Sequence, residues 1–243
     1  MTTDSLPTID ETAFDDAIKS LPLPSIRRLP SYLRLLYTLK ARGREVVSGT
    51  YISEDLGLVS VQVRKDLAMT GIVGRPKIGY SVPELIDAIE AFLGWKNTTD
   101  ALLIGVGGLG SALLGYEGFK EYHLNVLAGF DVDPAKIGTQ VHGKEIFALD
   151  RLPDLLSRMH ILIGILTVPA AAAQEATNTM VRYGIRAIWN YTPVPLLVPD
   201  SVIVEDVKLA ASLAVLSSRL AGILRKTPAP VDLEMAESDA AST

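Results

Sequence analysis

Apolar side chains recur at helical spacing at Leu29, Leu33, Leu36 and Tyr37, with Pro30 tolerated in the first turn and Gly43 ending the run. A second short helix, about Thr50 to Leu56, turns Ile52 and Leu56 inward and stops at Gly57. A third opens at Ser60, read as its N-cap, and runs to about Met69 with Val63 and Leu67 inward. Gly71, Gly74, Pro76 and Gly79 then punctuate a hairpin-like stretch. Ser81-Val82-Pro83-Glu84 is a capping box, opening a helix that buries Leu85, Ile86, Ile89 and Phe92. Helix, short helix, tight turn, helix and hairpin is the order of a winged helix-turn-helix.

From Asp100 the pattern changes to alternating strands and helices. Strands are expected at Ala101–Ile104, Val126–Asp131, Ile161–Leu166, Ile185–Trp189 and Val202–Val204, and helices near 109–121, 151–158, 170–182 and 208–224. Such alternation predicts a parallel sheet covered on both faces. The chain therefore divides into a flexible leader (1–24), a winged-helix domain (25–95), a Rossmann-type domain (96–207), a C-terminal helix (208–225) and a flexible tail (226–243).

Charge sharpens this division. Residues 20–80 carry ten Lys/Arg against four acids, on a chain of 243 residues whose net charge is −5. A basic segment on an acidic body points to a polyanion-binding module beside a second function. The outward face of the third helix is assigned Gln62, Arg64 and Lys65, groups suited to base edges and phosphates; a plain solvated face is the alternative. There is no cysteine, which excludes disulfide scaffolds, thiol nucleophiles and Cys-ligated metal. The most apolar run, Met159 to Ala173, is 15 residues long and broken by Thr167 and Pro169, too short for a membrane span. A cytoplasmic protein with no membrane partner and no metal is the expectation.

Gly105-Val106-Gly107-Gly108-Leu109-Gly110 matches the G-x-G-x-x-G fingerprint. It follows an apolar strand and precedes a helix, so its glycines can turn the backbone tightly and bring it up to a pyrophosphate. The next strand ends at Asp131, placed to accept from ribose hydroxyls; its charge would repel a 2′-phosphate, favouring NAD(H) over NADP(H). Asp133 competes for that role, with Val132 between them. Thr167-Val168-Pro169 and Asn190-Tyr191-Thr192-Pro193 close the following strands; each either borders the nicotinamide half or is an ordinary turn. His123, His142 and His160 sit on no strand end facing the cofactor, and no Lys/Glu or Ser/Tyr/Lys set presents itself. The dinucleotide is sensed, not consumed: this is not an enzyme. A small dehydrogenase or CoA-binding module is the weaker reading for the same reason.

These residues carry a family resemblance. Arg28-Leu29-Pro30-Ser31-Tyr32-Leu33-Arg34, Gln62 to Leu67, Gly105 to Gly110, Phe130 to Pro134, Leu166 to Pro169 and Gln174 resemble the Rex redox-sensing repressors, over about Ile26 to Ile223. The resemblance implies a homodimer with an N-terminal winged helix and a Rossmann domain binding NADH or NAD⁺. It implies a palindromic double-stranded operator that NADH releases. Phosphate contacts are then expected from Arg27, Arg28 and Lys77, with Ser60, Gln62, Arg64, Lys65 and Arg75 on the same DNA face.

Two departures stand out. Where the family has a Ser-Tyr-Phe-Gly run and a Lys-Arg-Gly wing tip, this chain has Ala68-Met69-Thr70-Gly71 and Arg75-Pro76-Lys77. The family's coupling trio of Arg, Tyr and Asp falls on Arg34, Tyr116 and Lys208; Arg34 and Lys208, both cations, cannot form a salt bridge, so any coupling is rewired. An NAD(H) sensor that has lost operator binding and acts through a protein partner is the alternative function. Leu209, Leu213, Leu216, Leu220 and Ile223 form a seam of about two heptads. That seam either packs on its own sheet or, as the resemblance implies, crosses to a partner subunit as a domain-swapped dimerisation helix.

Overall fold

The computed structural model describes residues 22–96 and 99–226. The expected leader and tail lie almost wholly outside the described residues. Nine α-helices and nine strands are found among those described.

The first hydrophobic core is closed by helices. α1 (Leu23–Ile26) leads into α2 (Leu29–Ala41), whose Pro30 lies in the first turn, where no backbone donor is lost. α2 buries Leu29, Tyr32, Leu33, Leu36 and Leu39. The expected inward position of Tyr37 is corrected: it is 40% exposed, and its hydroxyl donates to Glu90. Tyr32 takes the inward place, one turn nearer the centre of the buried stripe. β1 (Val46–Val47) leads to α3 (Gly49–Asp55), capped by Ser48, whose hydroxyl accepts from Tyr51 N at 3.1 Å. α4 (Ser60–Met69) buries Val63 and Leu67 as expected, but Val59, not Ser60, precedes its first turn. Ser60 instead shares a hydrogen bond of 2.9 Å with Ser53. β2 (Tyr80–Ser81) pairs antiparallel with β1, and α5 (Val82–Phe92) is capped by Ser81.

Asp66 lies within this lobe at 1% side-chain exposure. Arg28 grips it with two hydrogen bonds of 2.7 Å, and Tyr32 donates to it at 2.6 Å. Burial pushes the Asp66 carboxyl up, but the hydrogen bonds from Arg28 and Tyr32 outweigh it and hold the group below the usual carboxylate range. The trio thus ties α2 to the inner face of α4.

The second half is a seven-stranded sheet of β3 (Thr99–Ile104), β4 (Leu124–Asp131), β5 (Gln140–Val141), β6 (Lys144–Ala148), β7 (Ile163–Leu166), β8 (Ala187–Asn190) and β9 (Ile203–Asp206). Its order is β5-β6-β4-β3-β7-β8-β9. Leaving aside the antiparallel edge strand β5, this is the 3-2-1-4-5-6 order of a doubly wound nucleotide fold. Along β3, Ala101 and Leu103 enter one apolar cluster, while Leu102 and Ile104 enter another. This period of two lets one strand serve both faces. α7 (Leu152–Arg158) and α8 (Ala170–Arg182) cover the second cluster, and α6 (Gly108–Leu114) the first.

Sequence reading missed β5 and β6, because Lys144-Glu145 interrupts the apolar signal and only Ile146 of β6 is fully buried. The helix expected over 109–121 is two elements: α6 stops at Gly115, and a 3-10 helix follows at Glu117–Tyr122. Gly115 is where the His142 ring packs, and a Cβ there would lie 2.4 Å from its Cγ. α9 (Leu209–Lys226) belongs to a separate compact unit, with Leu209, Leu213, Leu216 and Leu220 each more than half exposed.

Asp66→Asn is expected to destabilise the protein by about 2–3 kcal/mol in urea unfolding. That lies at or below the low end of the roughly 3–5 kcal/mol for breaking a buried pair, since Arg28 keeps 23% exposure and can partly rehydrate. Because the folded pKa of Asp66 is depressed, its contribution is fully present above the unfolded value near about 4 and is lost as pH falls through the lower folded value. The variant should therefore lose that part of the acid dependence of stability.

Candidate functional site: a nucleotide cleft and a basic face

β3 and β7 are neighbours from which the chain departs in opposite directions, the switch point at which nucleotides bind in such sheets. A cleft of about 590 Å³ opens at their carboxyl ends. Gly105, Gly107, Asp131, Val132, Thr167, Val168 and Pro169, all singled out in the sequence, line it. Lys136 and Glu175 line it too. No periodic signal marks Lys136, whose place depends on the turn after β4.

The three fingerprint glycines are required for different reasons. Gly105 has φ +98°, and a Cβ on it would meet Val168 Cγ1 at 2.8 Å. Gly110 packs so closely that a Cβ would lie 2.0 Å from the Gly105 carbonyl oxygen. Gly107 and Gly108 meet nothing within 4 Å, so their surfaces stay bare toward open space. That is the arrangement the fingerprint requires: a tight turn, a close helix–strand approach, and bare backbone for a pyrophosphate. Leu109 is 43% exposed, whereas Val106 is buried.

Asp131 closes β4 and accepts from Val106 N at 2.8 Å, Val132 N at 2.8 Å, Asp133 N at 3.0 Å and Lys136 Nζ at 3.0 Å. Burial pushes its carboxyl up, yet these donors hold it below the ordinary carboxylate range. The bond from Val106 N fastens the glycine loop, and the other three hold the turn that follows β4. Thr167 Oγ1 donates to the Gly105 carbonyl at 2.7 Å, fastening the loop from the β7 side. Asn190 does not line the cleft; its side chain accepts from Thr192 N and Oγ1 and donates to the Val194 carbonyl, shaping the loop after β8. The residues fit the adenosine–pyrophosphate end of a dinucleotide.

In the first lobe, Ser60, Arg64, Arg75 and Lys77 surround one cleft of about 490 Å³ between α4 and the hairpin. Reciprocal backbone hydrogen bonds between Arg75 and Gly79 close the hairpin tip, with Lys77 at φ 63°. Arg64 and Lys65 are exposed, as expected. Two other residues assigned to the DNA face are half-buried and bonded within the lobe. Arg28 is spent on Asp66, and Gln62, with its amide oxygen toward Arg28, accepts from both Nη atoms at 3.0 and 3.2 Å. Arg27 stays exposed and pairs with Glu205 at 3.0 Å.

Of the coupling trio, Arg34 is exposed on α2 and Lys208 is exposed just before α9. Tyr116 lines an apolar cavity of about 740 Å³ with Trp95, Phe119, Tyr122, Trp189 and Tyr191. Its ring meets Phe119 edge-on at 5.0 Å, and Phe119, Trp189 and Tyr191 continue the chain of ring contacts.

A helical lobe with a basic hairpin joined to a dinucleotide fold defines a nucleotide-responsive DNA-binding class. Comparison narrows it. A profile described as "CoA binding domain" matches residues 96–194, and one described as "Putative DNA-binding protein N-terminus" matches residues 20–68. The redox-sensing transcriptional repressor Rex of Treponema denticola is 51% identical over 79% of this chain and 92% of its own. That of Bacteroides thetaiotaomicron is 42% identical over 82% of this chain and 91% of its own. The crystal structure of RSP in complex with β-NAD⁺ and operator DNA superposes with a TM-score of 0.79 at 36% identity, covering 85% of this chain and 96% of that one. RSP in complex with β-NADH gives 0.76 at 35% identity, covering 85% and 98%. The chain belongs to the Rex family of redox-sensing transcriptional repressors.

Gly107→Ala should leave the melting temperature near that of the parent while weakening NADH binding at least tenfold, since the added methyl meets no protein atom. Gly110→Ala should lower both, because its Cβ collides with the Gly105 carbonyl. Thermal melts and titration calorimetry on the two variants separate these outcomes.

Proposed function

We propose that this chain is an NADH-responsive transcriptional repressor that binds a palindromic operator as a homodimer and leaves it when NADH occupies the sheet cleft. The observation that carries the reading is the pairing, in one chain, of the bare glycine cradle at the switch point with the basic cleft between α4 and the hairpin. Support comes from RSP, a Rex-family repressor whose structures contain β-NAD⁺ with operator DNA and β-NADH. The reading that operator binding has been lost gains nothing from the altered wing, since Arg75 and Lys77 remain beside Arg64. The protein regulates and does not turn over its nucleotide. It acts in the cytoplasm, where the operator is. Among the described residues no helix is long and apolar enough to cross a membrane.

For the residues, Gly105, Gly107 and Gly108 cradle the pyrophosphate, and Val132 and Lys136 border the adenosine ribose. Asp131 acts there chiefly by holding the loop. On the DNA side, Arg64, Lys65, Arg75 and Lys77 meet the duplex directly, while Arg28 and Gln62 brace α4 from behind. The exposed leucines of α9 need a cover, and a helix of 18 residues is marginal alone. A second copy supplies it by accepting α9 into its aromatic-lined cavity, so that Lys208 arrives near a partner's Tyr116 in place of an acid.

Fluorescence anisotropy on a palindromic operator should show tight binding with NAD⁺ and at least tenfold weaker binding with NADH. No operator binding at low salt would overturn the reading. A second test addresses assembly: Leu213→Glu with Leu216→Glu, in the full chain, should give a monomer by light scattering that keeps NADH binding and loses operator affinity.

A further inference from the structure

The exposed row of α4 is Val61, Arg64, Lys65 and Ala68, spaced i, i+3, i+4 and i+7 along one helical face. Its opposite face, Val63, Asp66 and Leu67, is buried. Val61 is 51% exposed and Val59, just before the helix, 67%. Both border a shallow depression shared with Gln62 and Lys65. Gln62 is half-buried and, with its amide oxygen toward Arg28, has only its amide nitrogen left for a base edge, which leaves Val61 the exposed side chain of the first turn. The outward group at the first turn of the helix is therefore apolar, branched and stiff, and flanked by two cations.

The major groove offers one apolar group for such a side chain, the C5-methyl of thymine. Val61 is rigid at χ1, so it loses little rotamer freedom on docking. Arg64 and Lys65, one turn further along the same face, supply the charge that draws this face toward a duplex. We infer that Val61 reads the C5-methyl of one thymine in each operator half-site, as a specificity contact distinct from the polar contacts of Arg64 and Lys65. This rests on the proposed operator binding through α4.

The test uses the full-length protein and a palindromic duplex that it selects from a random-sequence pool. Thymines are replaced by uracil one symmetric pair at a time, which removes the methyl and leaves every hydrogen-bonding group in place. At one thymine pair the parent should lose roughly fourfold affinity per half-site, the scale of one buried methyl, and so about fifteenfold in all. Val61→Ala should bind the thymine duplex correspondingly more weakly and be indifferent to uracil at that pair, while Val61→Thr, which keeps one methyl, recovers part of the discrimination. A parent indifferent to uracil throughout, or an equal uracil penalty in parent and Val61→Ala, overturns the inference. If the parent selects no duplex at all, operator binding itself fails, and the thymine contact falls with it.

Discussion

The closest constraint in the molecule is the approach of Gly110 to the carbonyl of Gly105, where a Cβ would sit 2.0 Å from oxygen. Three strand ends meet around it. Thr167 from β7 donates to the same carbonyl, and Asp131 from β4 accepts from Val106 within the loop. The loop is thereby held from both sides before any ligand arrives, and Gly107 and Gly108 are left facing open space. A preformed cradle of this kind loses little freedom on binding, which is what a sensor of nucleotide concentration needs.

A second fixed point lies in the helical lobe. Arg28, Tyr32 and Asp66 join the first long helix to α4 through a carboxylate that is almost wholly buried. Removing one partner would leave an uncompensated charge, so the orientation of α4 is coupled to α2. Arg28 extends the coupling outward by holding Gln62. Gln62 in the first turn of α4 is thus tied to the scaffold, while Val61 beside it is exposed.

The nucleotide cleft and the cavity lined by Tyr116 are made of different material. The cleft is polar at its rim and glycine-lined, whereas the cavity beside β7, β8 and β9 is aromatic, with Tyr116 belonging to the short segment after α6. α6 ends at Gly115, where the His142 ring occupies the space a side chain would need. The chain leaving the glycine loop therefore reaches the aromatic cavity within a few residues.

Much of this was legible in the sequence, and for definable reasons. The glycine fingerprint, the strand end at Asp131 and the inward Val63 and Leu67 follow from backbone sterics and from periods of 3.6 and 2, which are local. The capping of α5 by Ser81 is local as well. What the tertiary structure decided is non-local. Arg28 and Gln62 read as free polar groups because the sequence does not show that Asp66, 38 residues beyond Arg28, is buried beside them. The bonds that Asn190 makes to Thr192 and Val194 after β8 likewise follow from the folded loop and from no spacing in the sequence. β6 was invisible because a single buried Ile146 carries no period, and the strand exists by pairing with β4. Composition and spacing set most of the helices and the central strands, though not β5, β6 or the break after α6. Which polar side chains remain free to meet a ligand is settled only when distant charges are brought together, because a buried carboxylate takes whichever donors lie within reach.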